Sequence, residues 1–189
     1  PNWKMGKKIS IDSSTLMNKV FEVIEAKKIF NLTYKKFKIL IHPKSYIHAI
    51  VKFKNGLIKF VAHETDMKIP IFNSIYFNIN KKILTKDINL ETLNNLNFQN
   101  VDRKKFPVIK LLKMMPEKDS LLETLLVSIN DELVDLFLSK KISFQDISKK
   151  LNYYLKINAF NKYKRQKPKN LGQIVKLNTF VRLKTKSLS

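Results

Sequence analysis

The sequence predicts an α+β fold in which a β-hairpin and short sheet elements packed by helices precede a closing α-helical bundle. Three observations predict it. Apolar residues at Leu16, Val20, Val23 and Ile24 keep the helical spacing that buries one face. Two strand-like runs, Ile47 to Lys54 and Leu57 to His63, are separated by Asn55-Gly56, a dipeptide that favours a tight hairpin turn. Beyond Asp119, apolar stripes recur at helical spacing in segments joined by short connections, as in a small bundle.

Composition bounds the function. The chain has 189 residues, 44% of them hydrophobic, enough for a real core and too many for general disorder. It contains no cysteine, which excludes disulfides and thiolate metal sites and fits a reducing compartment. No apolar run reaches the roughly 20 residues needed to cross a bilayer, so no membrane partner is expected. No signal peptide is seen. The net charge of +22 suggests attraction to polyanions, and Ser148 to Ser189 contains no Asp or Glu. The lysines are nevertheless scattered over nearly every segment, and none of the familiar nucleic-acid motifs occurs. Specific nucleic-acid binding is therefore not expected.

Taken in order, the chain opens with an aromatic-tipped loop around Trp3 and a short extended piece, then enters a helix. Asp12, Ser13 and Ser14 are placed to cap its first free N–H groups. Ser14, Asn18, Glu22 and Glu25 line up on a second face, with Lys19 beside that row. Asn18, Lys19 and Glu22 bring an amide, an ammonium and a carboxylate together at a helix start, a set that could hold an anion and a metal. Periodicity alone reads the same row as a solvated face. Phe37 to Ile41 reads as a short buried strand, ending at His42-Pro43. The hairpin follows, with a type I′ turn at Asn55-Gly56 and with Lys52, Lys54 and Lys59 facing water. His63, Glu64 and Asp66 read as a solvated turn, not a metal site. Pro70 suits the first turn of a helix through Ile71 and Ile75.

Asn78 to Asn100 is polar and reads as connections with short elements. Phe106-Pro107 opens a helix through Ile109, Leu111, Leu112 and Met115, with Met114 and Met115 as core filling. Pro116-Glu117-Lys118 breaks the chain and sets an expected boundary between domains 1–117 and 118–189. Ser120 to Ser139 is a long helix with acids opposite its apolar stripe. Ser143 and Asp146 resemble a capping box opening a helix toward Ile157. Tyr153 and Tyr154 suit core or interface packing. A basic linker, Asn161 to Asn170, leads to a last helix through Leu171, Ile174, Leu177 and Val181.

The run NWKMGKKISIDSSTLMNK followed by Glu22 resembles the signature of the 1-deoxy-D-xylulose-5-phosphate reductoisomerase family. The likeness continues through IHPKSYIHAIVKF, ETDMKIPI, DRKKFPVIKL and PKNLGQIVKLNTFVR, and is weaker after about Asp119. What it implies is an enzyme of the non-mevalonate isoprenoid pathway. In it, Mg²⁺ or Mn²⁺ chelates 1-deoxy-D-xylulose 5-phosphate, the skeleton rearranges, and NADPH reduces the product to 2-C-methyl-D-erythritol 4-phosphate. By this resemblance Glu22 is a metal ligand and, with Lys19, a catalytic residue. Ser13, Asn18 and Lys19 contact substrate, Trp3 and Met5 belong to a flap that closes over it, and Gly6 touches the nicotinamide cofactor. His42 is a further substrate-side candidate. Residues 1–117 then correspond to part of the catalytic domain and 118–189 to a C-terminal helical domain. The family also implies a homodimer and the bacterial cytoplasm, with a plastid as the alternative.

The departures shape the expectation. No G-x-G-x-x-G run exists for NADPH, and the family's Asp, Glu and serine that complete the metal site lie upstream. Its flap histidine falls immediately before Pro1. Val20 replaces a glycine, His63-Glu64-Thr65 replaces Gly-x-Pro, and Val127-Ser128-Ile129-Asn130-Asp131 replaces Asn-Ala-Ala-Asn-Glu, losing the first Asn. The chain is expected to be a fragment, inactive in isolation. The alternative is a non-catalytic remnant or a basic polyanion-binding module on the same scaffold.

Overall fold

Where one extended piece and one helix were expected, the chain makes two helices meeting at a corner. The computed structural model describes residues 5–189, and Pro1–Lys4 lie outside it. Helix α1 spans Lys7–Ser14 and α2 spans Met17–Phe30. Asp12, Ser13 and Ser14 therefore lie inside α1 and do not cap α2. The reason is tertiary: the Asp12 carboxylate is 3% exposed and is claimed by Lys8 and by Asn130. Helix α2 ends at Asn31, whose left-handed backbone (φ 49°) terminates it as glycine often does elsewhere.

The described chain divides into two compact units that interleave in sequence. One holds residues 39–101, the other residues 5–38 and 102–189. The expected cut at residues 117 and 118 falls inside the second unit, because the opening helices pack on the later ones.

The first unit carries the sheets. Strand β1, Leu40–Ile41, pairs antiparallel with β4, Gln99–Asn100. Only the end of the expected strand at Phe37 to Ile41 forms, and Leu40 and Ile41 are half-buried. Strands β2, Ile47–Lys52, and β3, Ile58–Ala62, form the hairpin. Its turn differs from the type I′ expected. Gly56 has φ 89°, but Asn55 is not among the residues of positive φ. Phe53 N–H donates to Leu57 O at 2.9 Å and Gly56 N–H to Phe53 O at 3.1 Å, which closes a three-residue loop. That pattern is a type I turn followed by a left-handed glycine, in which only Gly56 needs its conformational freedom. Lys52, Lys54 and Lys59 are exposed, as expected. Pro70 sits in the first turn of α3, Lys68–Ile75. Asn89 caps the short α4, Leu90–Asn94, by accepting from Thr92 N–H at 2.7 Å.

The second unit holds the main core. Its axis is α5, Leu122–Leu138, with Leu125, Ile129, Leu133 and Val134 fully buried. Helix α6, Phe144–Tyr154, starts with the expected capping box: Ser143 Oγ accepts from Asp146 N–H and the Asp146 carboxylate accepts from Ser143 N–H. The Ser143 hydroxyl also donates to that carboxylate at 2.7 Å, and this bond, followed by the one from Ser143 N–H, holds the Asp146 carboxyl below its usual range. Helix α7, Leu171–Ser187, lies along α5. There Arg182 pairs with Glu132 and Asp135, so Glu132 is buried instead of facing water with the other acids. From α2, Met17 and Val20 enter the same core.

Two further elements depart from expectation. Pro107–Lys113 is a 3₁₀ turn, not an α-helix: its buried residues, Val108 and Leu111, stand three apart and face one side at three residues per turn. Met115 fills the core but Met114 is exposed. The expected basic linker, residues 161–170, starts inside a 3₁₀ turn, Asn158–Tyr163, which is anchored just ahead of the linker by fully buried Phe160 edge-on to Phe180. Tyr154 is buried and donates to Leu188 O at 2.8 Å, while Tyr153 is exposed.

The far end of α2 is tethered by charge. Lys27 is buried and donates to Glu117 O, and Lys28 pairs with Asp119 at 2.8 Å and Glu123 at 3.3 Å. Tyr34 packs beside them with its hydroxyl buried and unbonded among the described residues. Burial, and then the carboxylates of Glu123, Glu117 and Asp119, push the Tyr34 phenol up to about 12. A raised phenol pKa favours the folded state below the unfolded value near 10, and that advantage is lost as pH rises from about 10 through about 12. Tyr34→Phe is thus expected to match wild type at pH 8 and to exceed it in urea midpoint at pH 11. An equal midpoint difference at the two pH values would refute this.

Candidate active site

The candidate site begins at the α1–α2 corner. Leu16, the residue before α2, is left-handed (φ 62°, ψ 14°), a conformation costing a non-glycine residue roughly 1–2 kcal/mol. No side chain caps α2 through Leu16; instead Thr15 Oγ accepts from Met17 N–H at 3.3 Å. Ser14 Oγ donates to Ser10 O at 2.7 Å. The corner is held from α5, where Asn130 Nδ2 donates to Asp12 Oδ1 at 2.8 Å. Lys8 Nζ lies 3.0 Å from both Asp12 and Asp131. Burial depresses the Lys8 ammonium pKa, but the bonds to Asp131 and Asp12 outweigh it and leave the pKa raised.

One turn into α2, three of the expected side chains converge. Asn18 Nδ2 donates to Glu22 Oε1 at 2.6 Å, and Lys19 Nζ lies 2.9 and 2.8 Å from Glu22 Oε1 and Oε2. The Lys19 and Glu22 side chains remain 43% and 45% exposed, so the cluster is open to a ligand. Val20, in place of the family glycine, is fully buried and points to the core, leaving the cluster unobstructed. A cleft of about 610 Å³ between α1, α2 and α5 is lined by Gly6, Lys8, Asp12, Asn18, Glu22 and Asp131, among others.

The remaining candidates are placed differently. Ser13 is half-buried and shares no hydrogen bond with the cluster; its carbonyl accepts from Leu16 N–H at 3.1 Å. Met5 is half-buried just ahead of α1. Among the described residues, and leaving aside its two chain neighbours, no atom lies within 4 Å of a Cβ built on Gly6, so their packing does not require glycine there. Trp3 lies outside the described residues. His42 belongs to the other compact unit; its Nδ1–H donates to Asn97 O at 2.9 Å, and its ring lies 5.1 Å from Phe98. Among the described residues no three His, Cys, Asp or Glu side chains form a group able to hold a metal ion. Glu22 supplies one carboxylate, and both its oxygens already face Lys19, so these residues do not by themselves make a divalent-cation site. Asp12, Lys8 and Asn130 were not singled out as site-supporting residues from the sequence. Asp12 and Asn130 stand 118 positions apart and nothing local announces their pairing.

The chain belongs to the 1-deoxy-D-xylulose 5-phosphate reductoisomerase family: a model of the DXP reductoisomerase C-terminal domain matches residues 63–184, and a second C-terminal-domain model of that enzyme matches residues 1–30. It is 60% identical over its whole length to the reductoisomerase of Pelagibacter ubique, of which it covers 49%. The enzyme of Persephonella marina is 42% identical over 78% of the chain, which spans 39% of that relative. The chain thus spans about half the length, or less, of the curated relatives it matches. A solved reductoisomerase in complex with NADPH, fosmidomycin and magnesium superposes with TM-score 0.88 at 30% identity, over 99% of this chain and 47% of the other. The Zymomonas mobilis enzyme in complex with NADPH gives 0.83 at 30% identity, covering 96% and 47%. These matches agree with the mixed α and β fold expected from the sequence.

Proposed function

We propose that the chain is the C-terminal portion of a 1-deoxy-D-xylulose-5-phosphate reductoisomerase. The full-length protein would convert 1-deoxy-D-xylulose 5-phosphate to 2-C-methyl-D-erythritol 4-phosphate with NADPH and Mg²⁺ or Mn²⁺. The observation that carries this reading is the convergence of Asn18, Lys19 and Glu22 on one exposed turn of α2 in a member of that family. Lys19 supplies a positive charge and Asn18 an amide donor, which suit a phosphate or a polarised oxygen. Glu22 fixes both donors in place and offers a hard oxygen donor suited to Mg²⁺ or Mn²⁺. Further metal ligands and the NADPH domain come, in this reading, from the rest of the full-length protein. Ser13, Met5, Trp3, Gly6 and His42 remain candidates for substrate and cofactor contacts. A homodimeric assembly and a bacterial cytoplasmic location belong to the same reading.

NADPH oxidation on addition of 1-deoxy-D-xylulose 5-phosphate and Mn²⁺ tests it. Full-length protein is expected to turn over, and residues 1–189 alone to show negligible turnover, since one carboxylate does not hold a catalytic divalent ion. Inactive full-length protein would favour a non-catalytic remnant on the same scaffold. Clear activity of the isolated chain would overturn the assignment of the missing parts.

A further inference from the structure

We propose that Asn130 and Asp131 on α5 are positioning residues for the α2 cluster, acting through Asp12 and Lys8 on the corner from which Asn18, Lys19 and Glu22 project. The inference rests on the functional reading given above and extends it to residues that touch none of the reacting groups.

Asp12 and Asn130 are 3% and 0% exposed, so the bond between them is shielded from water. Buried carboxylate oxygens need hydrogen-bond partners, and here the two have two: Asn130 on Oδ1 and Lys8 on Oδ2. Lys8 in turn reaches Asp131, the next residue of α5. Two consecutive residues of α5 thus grip α1 at Lys8 and Asp12, two sites one helical turn apart. A single grip would leave α1 free to swivel, whereas two fix its direction.

That grip bears on the start of α2. Left-handed Leu16 lies between the helices, and a non-glycine residue stays in such a conformation only where its surroundings over-determine it. On the far side of the corner, buried Met17 and Val20 set which face of α2 meets the core. Apolar packing tolerates sliding, but a charge-assisted hydrogen bond is directional. The polar grip therefore fixes the position of the first turn of α2, where Asn18 and Lys19 stand two and three residues past Leu16. The shared cleft joins the two sets of residues, with Lys8, Asp12 and Asp131 lining it together with Asn18 and Glu22. The segment Val127-Ser128-Ile129-Asn130-Asp131 thereby gains a role that its place on the bundle helix did not suggest.

The test uses full-length protein carrying Asn130→Ala. KM for 1-deoxy-D-xylulose 5-phosphate is expected to rise by about tenfold or more, as a displacement near 1 Å in a binding group implies. The exchange D12N/N130D restores a donor facing a carboxylate and is expected to bring the substrate KM back toward wild type. If Asn130→Ala yields no folded protein, Asp131→Asn, which weakens only the Lys8 grip, is expected to shift the substrate KM in the same direction. Folded variants with unchanged substrate KM, or a D12N/N130D exchange that leaves the substrate KM as high as in Asn130→Ala, would overturn the inference. Wild-type protein that does not oxidise NADPH with this substrate would instead overturn the functional reading, and the inference with it.

Discussion

Glu22→Gln in the full-length protein is expected to lower kcat/KM for 1-deoxy-D-xylulose 5-phosphate by at least about 10²-fold. The substitution keeps the size of the side chain and can keep the bond from Asn18, which needs only an acceptor oxygen. It removes the negative charge that Lys19 meets at 2.8 Å. The ammonium then loses its fixed direction, and the helix loses its hard oxygen donor. Because the pair is about half exposed, its contribution to folding is small, of order 1 kcal/mol or less, so the variant is expected to unfold at nearly the wild-type urea midpoint. Affinity for Mn²⁺, read by titration calorimetry of the full-length protein, is expected to fall as well. A variant with wild-type kcat/KM and Mn²⁺ affinity would show that Glu22 belongs to an ordinary solvated face.

Phe160→Ala is expected to destabilise the fold by about 3–5 kcal/mol, the cost typical of deleting a fully buried aromatic ring. Phe160 has no exposed surface and meets Phe180 of α7 edge-on, with 6.4 Å between ring centroids. Its loss leaves a cavity beneath the 3₁₀ turn that leads into α7, and α7 is the principal partner of α5. Chemical denaturation measures the effect directly. A loss below about 1 kcal/mol would mean that the 3₁₀ turn ahead of the basic linker is only loosely attached to the core. Polar substitutions in the neighbouring exposed residues Asn161 and Lys162 should each cost less than about 0.5 kcal/mol.

Legibility in the sequence followed the range of the interactions. The capping box at Ser143 and Asp146, the hairpin around Gly56 and the α2 stripe of Val20, Val23 and Ile24 were readable because their partners lie within a few positions. The grouping of Asn18, Lys19 and Glu22 was readable for the same reason: residues three and four apart on a helix are neighbours wherever it packs. The hairpin turn type is not legible locally, because Asn-Gly serves two loop lengths and strand register decides between them. The 3₁₀ turn at Pro107–Lys113 is not legible either, because apolar residues three and four apart suit an α-helix as well.

By itself, then, the sequence determined the bundle helices, the hairpin and the local cluster on α2, which covalent geometry and near-neighbour spacing set, while the family was legible only through resemblance of its motifs. Only the tertiary structure decided that the opening stretch breaks into two helices at Leu16, that Asp12 is an anchor instead of a cap, and that Asn130 holds it. Those outcomes depend on which groups meet across 118 positions. A buried carboxylate takes the strongest partner that the fold delivers, and no local pattern names that partner in advance.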